Sequence, residues 1–350
     1  MSAVAGVTRS LVIAPQWVGD AVMTEPLLRR LAQRGEQIAV AALPWVTPVY
    51  RAMPQVARVF ELPFVHGRLQ LVTRCQLALS IQGQFDIAYV CPNSLKSALL
   101  PFFAGIATRI GYLGEFRFGL LTHRLPNPSG HKFTPTPMVD FYGALADVEG
   151  AASDENCRRP RLQLDRGKVQ NALSRFGLES EHYCVLVPGS EYGPAKRWPV
   201  GHFADLAGKI NLPVVLLGSA KDADLCAAIT AQVHALRPGH CLDLSGKTTL
   251  EDAMGVVSAA HRLVSNDSGL MHVAAAFDVA QVAIFGSSSP LHTPPLSDRA
   301  RVLWLKNDPH YQPPLDCAPC FERTCPKGHT RCLTDISVEQ VLSCLQPQIS

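Results

Sequence analysis

At 350 residues the chain is too long for one small core and about right for two domains of ordinary size. Hydrophobic residues make up 47% and charged residues 17%, the balance of a folded chain, where disorder needs the opposite. The net charge of +3, with no block of like charges and no aromatic-interleaved basic stretch, argues against a nucleic-acid partner. Residues 1–150 hold 13 Lys+Arg against 9 Asp+Glu, which leaves 19 against 20 in the remainder. A slightly basic first half favours an anionic acceptor or a membrane surface. Met1–Ser10 lacks the apolar core of a signal peptide, and Ala98–Ile106 is far short of a spanning helix, so the sequence predicts a cytoplasmic chain. Eleven cysteines agree with a reducing compartment.

Strands and helices alternate, the signature of βαβ units and parallel sheets. Leu11–Ala14 reads as a strand, and a helical pattern carries Val22, Met23, Leu27, Leu28 and Leu31 on one face until Gly35. Further strands are expected at Ile38–Leu43, Ile87–Val90 and Gly105–Gly111, with a helix around Ser94–Phe103. Residues Leu125–Pro137 have loop composition, and Met138–Val148 resumes helical periodicity. Gly150–Arg161 turns small, polar and charged, and marks the linker. The second series predicts strands at Tyr183–Val187, Val214–Leu217, Arg262–Ser265 and Val282–Phe285, with helices between them and a final helix over Ser337–Leu345. The fold class is α/β, with two Rossmann-like halves facing a cleft.

Three constellations carry chemistry. Trp17-Val18-Gly19-Asp20 ends the first strand, at the sheet edge where ligands sit. Asp20 there serves either as a proton acceptor for an attacking hydroxyl or as a cap for the following helix. Pro188–Pro199 (PGSEYGPAKRWP) is a strand-to-helix loop in which Gly189 and Gly193 let the backbone approach a ligand. Its Lys196 and Arg197 can neutralise phosphate, and it matches neither common nucleotide fingerprint. Ser265–His272 (SNDSGLMH) ends a strand and opens an Ala-rich helix. The N–H groups of Ser268, Gly269, Leu270 and Met271 would form an anion site, unless Asp267 or Ser268 is a simple cap. His272 falls one turn into that helix.

Two other patterns compete. Asp222-Ala223-Asp224 has the DxD form of a metal site but follows a strand and Gly218, where acids favour a helix start. Cys317, Cys320, Cys325 and Cys332, with His329 nearby, have a spacing compatible with structural zinc, though thiols packed in a compact loop fit as well.

The ordered blocks WVGD, PGSEYGPAKRWP, NDSGLMHVAAA, FGSSSP and CAPCFERTCPKGHTRCL together resemble the ADP-heptose:lipopolysaccharide heptosyltransferases, glycosyltransferase family 9. The Cys-rich tail points to the type II branch, and the resemblance runs from Leu11 to the last helix. It implies a GT-B fold with an acceptor-binding domain at 1–155, a nucleotide-sugar-binding domain at 156–335, and a helix at 336–350 packing back on the first domain. It implies an inverting transfer of heptose from ADP-heptose to the first heptose of heptosyl-Kdo2-lipid A, at the cytoplasmic face of the inner membrane, with no cofactor required. Asp20 matches the general base and Lys196 a phosphate contact. Asp267 matches the donor-sugar contact, and Ser268 to Met271 the diphosphate loop, with Ser190 and His272 beside it. Lys247, Thr248 and Thr249 are adenosine-side candidates. A heptosyltransferase with another acceptor, a GT-B nucleotide-sugar epimerase and a non-enzymatic module are the rivals; a dehydrogenase is disfavoured by its missing glycine pattern.

Overall fold

The computed structural model describes residues 6–65, 68–128, 135–147 and 158–345. The chain divides into two compact units, the first ending at Gln163 and the second running from Leu164. The expected boundary at 155/156 therefore moves eight residues on. Its physical reason is visible in part: the Arg161 amide donates to Glu25 at 3.1 Å and the Gln163 amide to the Ala52 carbonyl at 2.7 Å, so this stretch is tied to the first unit.

The first unit holds β1 (Arg9–Ile13), β2 (Gln37–Ala42), β3 (Val56–Glu61), β4 (Ile87–Val90), β5 (Thr108–Tyr112) and β6 (His123–Leu125), in the order β3-β2-β1-β4-β5-β6. The second holds β7 (Cys184–Val187), β8 (Val214–Leu216), β9 (Cys241–Asp243), β10 (Arg262–Asn266), β11 (Gln281–Ile284) and β12 (Ala300–Leu303), in the order β12-β11-β10-β7-β8-β9. Every pairing is parallel. Both units are thus Rossmann-like, with the strand order reversing between β1 and β4 and between β7 and β10.

The expected strands are the sheet interiors. The four that periodicity missed, β3, β6, β9 and β12, are the sheet edges, short or half-exposed, and so without a continuous apolar run. The first helical pattern also splits in two, Val18–Met23 and Glu25–Gln33, with Pro26 opening the second helix and Thr24 bonding back to the Ala21 carbonyl at 2.7 Å.

The final helix, Val338–Leu345, corrects an expectation. Its buried residues Val338, Val341 and Leu345 belong to the core of the second unit, and Lys209 pairs with Glu339 at 2.6 Å. An apolar stripe at that spacing covers the nearest exposed apolar surface, here the helix Val200–Lys209 and β11. Residues 346–350 lie outside the described residues. Among the described residues, no helix is long and apolar enough to cross a membrane.

Candidate functional site

Each unit presents its chemistry at the carboxyl edge of its sheet, beside the reversal of strand order. In the first unit a cavity of about 420 Å³ opens there, lined by Asp20, Trp17, Arg68, Arg74, Lys96 and Tyr142 among others. Trp17, not Asp20, holds the cap position of the helix Val18–Met23; Asp20 stands in its first turn, where the helix dipole favours a carboxylate. Tyr142 lines that cavity together with Asp20. Burial first, and then the negative charge of Asp20, hold the Tyr142 phenol well above its ordinary pKa. Burial and Asp20 likewise push the Cys91 thiol up, so both stay protonated beside the carboxylate.

The same cavity is lined by a buried cation. The Arg74 guanidinium donates to the Leu69 carbonyl at 2.7 Å and the Lys96 carbonyl at 3.0 Å, and lies 3.9 Å over the Phe64 ring. Burial lowers its pKa, but carbonyl partners leave its charge uncancelled, which suits an anionic ligand. Neither Tyr142 nor Arg74 was found by sequence reasoning. Tyr142 stands in a helix far along the chain from Asp20, and no spacing rule links the two.

In the second unit the loops after β7 and β10 are stitched together by Asn266. Its side chain accepts from the Trp198 amide at 2.9 Å and donates to the Pro188 carbonyl at 2.7 Å. This brings Lys196 against Asp267 in an ion pair of 2.5 Å. Lys196 also lies 5.1 Å from the Tyr192 ring centroid, and the buried Trp198 anchors the loop through its indole N–H to the Ile336 carbonyl at 2.9 Å. Ser190 is buried, and its carbonyl accepts from Arg197 at 3.2 Å.

Ser268 takes the cap position of the helix Gly269–Ala276, but its side chain makes no capping bond, and its Oγ is buried without a hydrogen-bond partner. The N–H groups of that helix start are therefore not consumed by a side-chain cap. Met271 contributes its backbone only, since its side chain packs with Ala283 and Phe285. His272 is buried next to the pair, and its pKa falls to about 4 because burial disfavours the cation and outweighs the Asp267 carboxylate. The imidazole is neutral near pH 7.

Asp222 is spoken for by local structure. It accepts from the Ser219 amide at 3.0 Å and hydroxyl at 2.8 Å and faces Arg197 at 3.6 Å. A Cβ on Gly189 would stand 2.4 Å from its carboxyl carbon, which is why that loop position has no side chain. Lys247 bonds to the Asp243 carbonyl at 2.8 Å, and Thr249 caps the helix Leu250–Ser258 in a reciprocal box with Asp252. With Thr248, they follow β9, two strands from β7.

Cys317, Cys320, Cys325 and Cys332 are free thiols, with Cys317 Sγ 4.0 Å from His329 Nε2. Among the described residues, no three His, Cys, Asp or Glu side chains are grouped to hold a metal ion. The segment braces the loop after β7. The Phe321 carbonyl accepts from the Tyr192 hydroxyl at 2.7 Å and the Arg323 carbonyl from the Ala195 amide at 3.1 Å, while the Phe321 amide donates to the Ser287 carbonyl at 2.7 Å. Ser287 and Ser288, from the block FGSSSP, have buried hydroxyls without hydrogen-bond partners.

The family model described as glycosyltransferase family 9 (heptosyltransferase) matches residues 74–330. The lipopolysaccharide heptosyltransferase 2 of Salmonella typhimurium strain LT2 is 40% identical over 97% of this chain and 98% of that protein. That of Escherichia coli K12 is 40% identical over 95% of this chain and 96% of that protein. The solved structure of E. coli ADP-heptose lps heptosyltransferase II superposes with a TM-score of 0.82 at 37% identity, covering 97% of each chain. A family 9 glycosyl transferase from Veillonella parvula, at 20% identity and a TM-score of 0.78, speaks for the fold.

Proposed function

The chain belongs to glycosyltransferase family 9, the heptosyltransferases, and on that premise we propose that it transfers heptose from ADP-heptose to the first heptose of lipid-linked heptosyl-Kdo2-lipid A, with inversion at the anomeric carbon. The acceptor is anchored in the cytoplasmic face of the inner membrane, so the enzyme works as a peripheral protein there. The observation that carries the reading is the pairing of Lys196 with Asp267 beside a helix start whose Ser268 hydroxyl is left unbonded.

Asp20 removes the proton from the attacking acceptor hydroxyl, and the Tyr142 phenol orients it. As the bond to the departing ADP breaks, negative charge grows on the phosphate. Lys196, the N–H groups of residues 268–271 and the Ser268 hydroxyl take up that charge, each such donor contributing about 3 kcal/mol in sites of this kind. Asp267 fixes Lys196 and is placed to accept from the donor's sugar hydroxyls. The neutral His272 adds no repulsion to Lys196. The positive charge of Arg68, Arg74 and Lys96 suits the anionic acceptor. The reaction as written needs no metal, because lysine and helix amides supply the charge.

The test is transfer with two acceptors. Heptosyl-Kdo2-lipid A should be extended by one heptose, and Kdo2-lipid A without heptose should not. Equal extension of both would replace the type II reading with another member of the family, and ADP release with neither extended would favour an epimerase or hydrolase.

A further inference from the structure

The helix Leu71–Ser80 turns Leu77 and Ala78 to the core of the first unit but leaves other apolar side chains in water. Its buried face holds the cation Arg74 together with Ala78, while Val72 is 71% exposed and Leu79 67% exposed, with Leu71 exposed beside them. Val72 and Leu79 are seven residues apart, two turns along one face, with the half-buried Cys75 and the exposed Gln76 between them. An apolar patch left in water on a surface helix marks a surface that meets something apolar.

The neighbouring surface continues the pattern. The helix Leu95–Phe103 packs beside it and exposes Phe102, over which the Arg109 guanidinium lies at 5.5 Å from the ring centroid. Immediately before the stripe, Val65 and Arg68 are exposed and line the mouth of the Asp20 cavity. Across that mouth Glu115 and the largely exposed Phe116 stand on consecutive left-handed backbone positions, φ 39° and 56°, a conformation that costs free energy and holds the ring outward. From Leu62 to Phe116 the sequence has four cations, Arg68, Arg74, Lys96 and Arg109, and two acids: Asp86, paired with Arg9 at 2.9 Å, and Glu115, which accepts from the Leu95 amide at 2.8 Å.

We propose that this apolar, basic face of the first unit, centred on Val72 and Leu79, seats on an anionic lipid bilayer and brings the mouth of the Asp20 cavity to the membrane surface. Val72, Leu79, Phe102 and Phe116 enter the boundary between headgroups and acyl chains, and Arg68 and Arg109 meet lipid phosphates. Charge selects the occupant: with four cations against Glu115 and the already paired Asp86, the face is net basic and is attracted to phosphatidylglycerol-like headgroups. The inference rests on the lipid-linked acceptor proposed above for the meaning of the docking, but the docking itself is read without any substrate.

The experiment floats the full chain with vesicles of phosphatidylcholine alone and of phosphatidylcholine mixed with phosphatidylglycerol. The wild-type chain should float with the mixed vesicles at low salt, be released by high salt, and stay behind with phosphatidylcholine alone. Val72→Ser/Leu79→Ser should lower the partition constant by roughly tenfold or more, since two apolar side chains lose their burial. Leu236→Ser, at an equally exposed leucine of the second unit (81% exposed), should leave it unchanged. Both variants alter exposed positions, so circular dichroism and transfer to a delipidated, water-soluble acceptor should match the wild type. No flotation of the wild type with mixed vesicles, equal loss in the two variants, or a dimer in solution that the Val72/Leu79 variant dissolves would each overturn the proposal. Flotation without transfer would keep the proposal and sink the activity reading, and transfer without flotation would do the reverse.

Discussion

Replacing Lys196 by Met separates what the Lys196–Asp267 pair does for folding from what it does for the donor. Asp267 is only 7% exposed and Lys196 18%, so neither charge is well solvated. Removing the cation leaves a buried carboxylate without its counter-charge, which costs about 3 kcal/mol. Lys196→Met/Asp267→Asn should recover most of that loss, because the uncompensated charge is then gone. Donor affinity should not recover: a charged hydrogen bond to phosphate contributes about 1.5–3 kcal/mol, so both variants should bind ADP roughly 10- to 100-fold more weakly. Urea unfolding followed through the buried Trp198 reports the second unit, and calorimetric titration with ADP reports the site. If Lys196→Met loses less than about 1 kcal/mol and titrates ADP as the wild type does, the pair is a surface contact and the cradle has been misplaced.

Asp20→Asn should keep ADP affinity while kcat falls by a factor on the order of 10² to 10⁴, the usual worth of a general base, and an ADP titration beside a rate assay checks both halves. His272 sets a pH dependence: its folded pKa of about 4 lies below the ordinary value of 6.5, so the unfolded chain takes up a proton first as the pH falls. Stability of the second unit should therefore be full above pH 6.5 and decline between 6.5 and 4, by about 3 kcal/mol in all, and His272→Gln should flatten that slope in urea unfolding at a series of pH values. Gly193→Ala should disturb the loop that carries Lys196, since φ there is +155° and a Cβ would stand 2.5 Å from the Arg323 carbonyl oxygen. A drop in melting temperature with a raised KM for the donor is expected, and a neutral outcome would show that the Cys-rich segment does not brace the loop.

What the sequence revealed and what it hid follow from burial. Interior strands such as β1, β4, β7 and β10 are buried on both faces and read as apolar runs, so the doubly wound plan was legible. The edge strands are half-exposed and carry no such run. The candidate site was legible where its residues are contiguous: Lys196 follows β7, Asp267 and Ser268 follow β10, and adjacency of those strands brings Lys196 and Asp267 together. Tyr142 and Arg74 reach Asp20's cavity from distant helices, and only tertiary packing selects them. The final helix shows an amphipathic stripe without naming its partner, and its buried face went to the second unit.

We propose inverting heptose transfer in which Asp20 of the first unit takes the acceptor's proton and Lys196 with the helix start at 268–271 of the second unit takes up the charge of the leaving phosphate, without a metal. Its most direct measurement is product analysis by mass spectrometry and NMR after incubation with ADP-heptose and heptosyl-Kdo2-lipid A in EDTA. One ADP should appear for each heptose linked to lipid, and the new linkage should have the anomeric configuration opposite to the donor's. A retained configuration, ADP in excess of linked heptose, or transfer abolished by the chelator would contradict it.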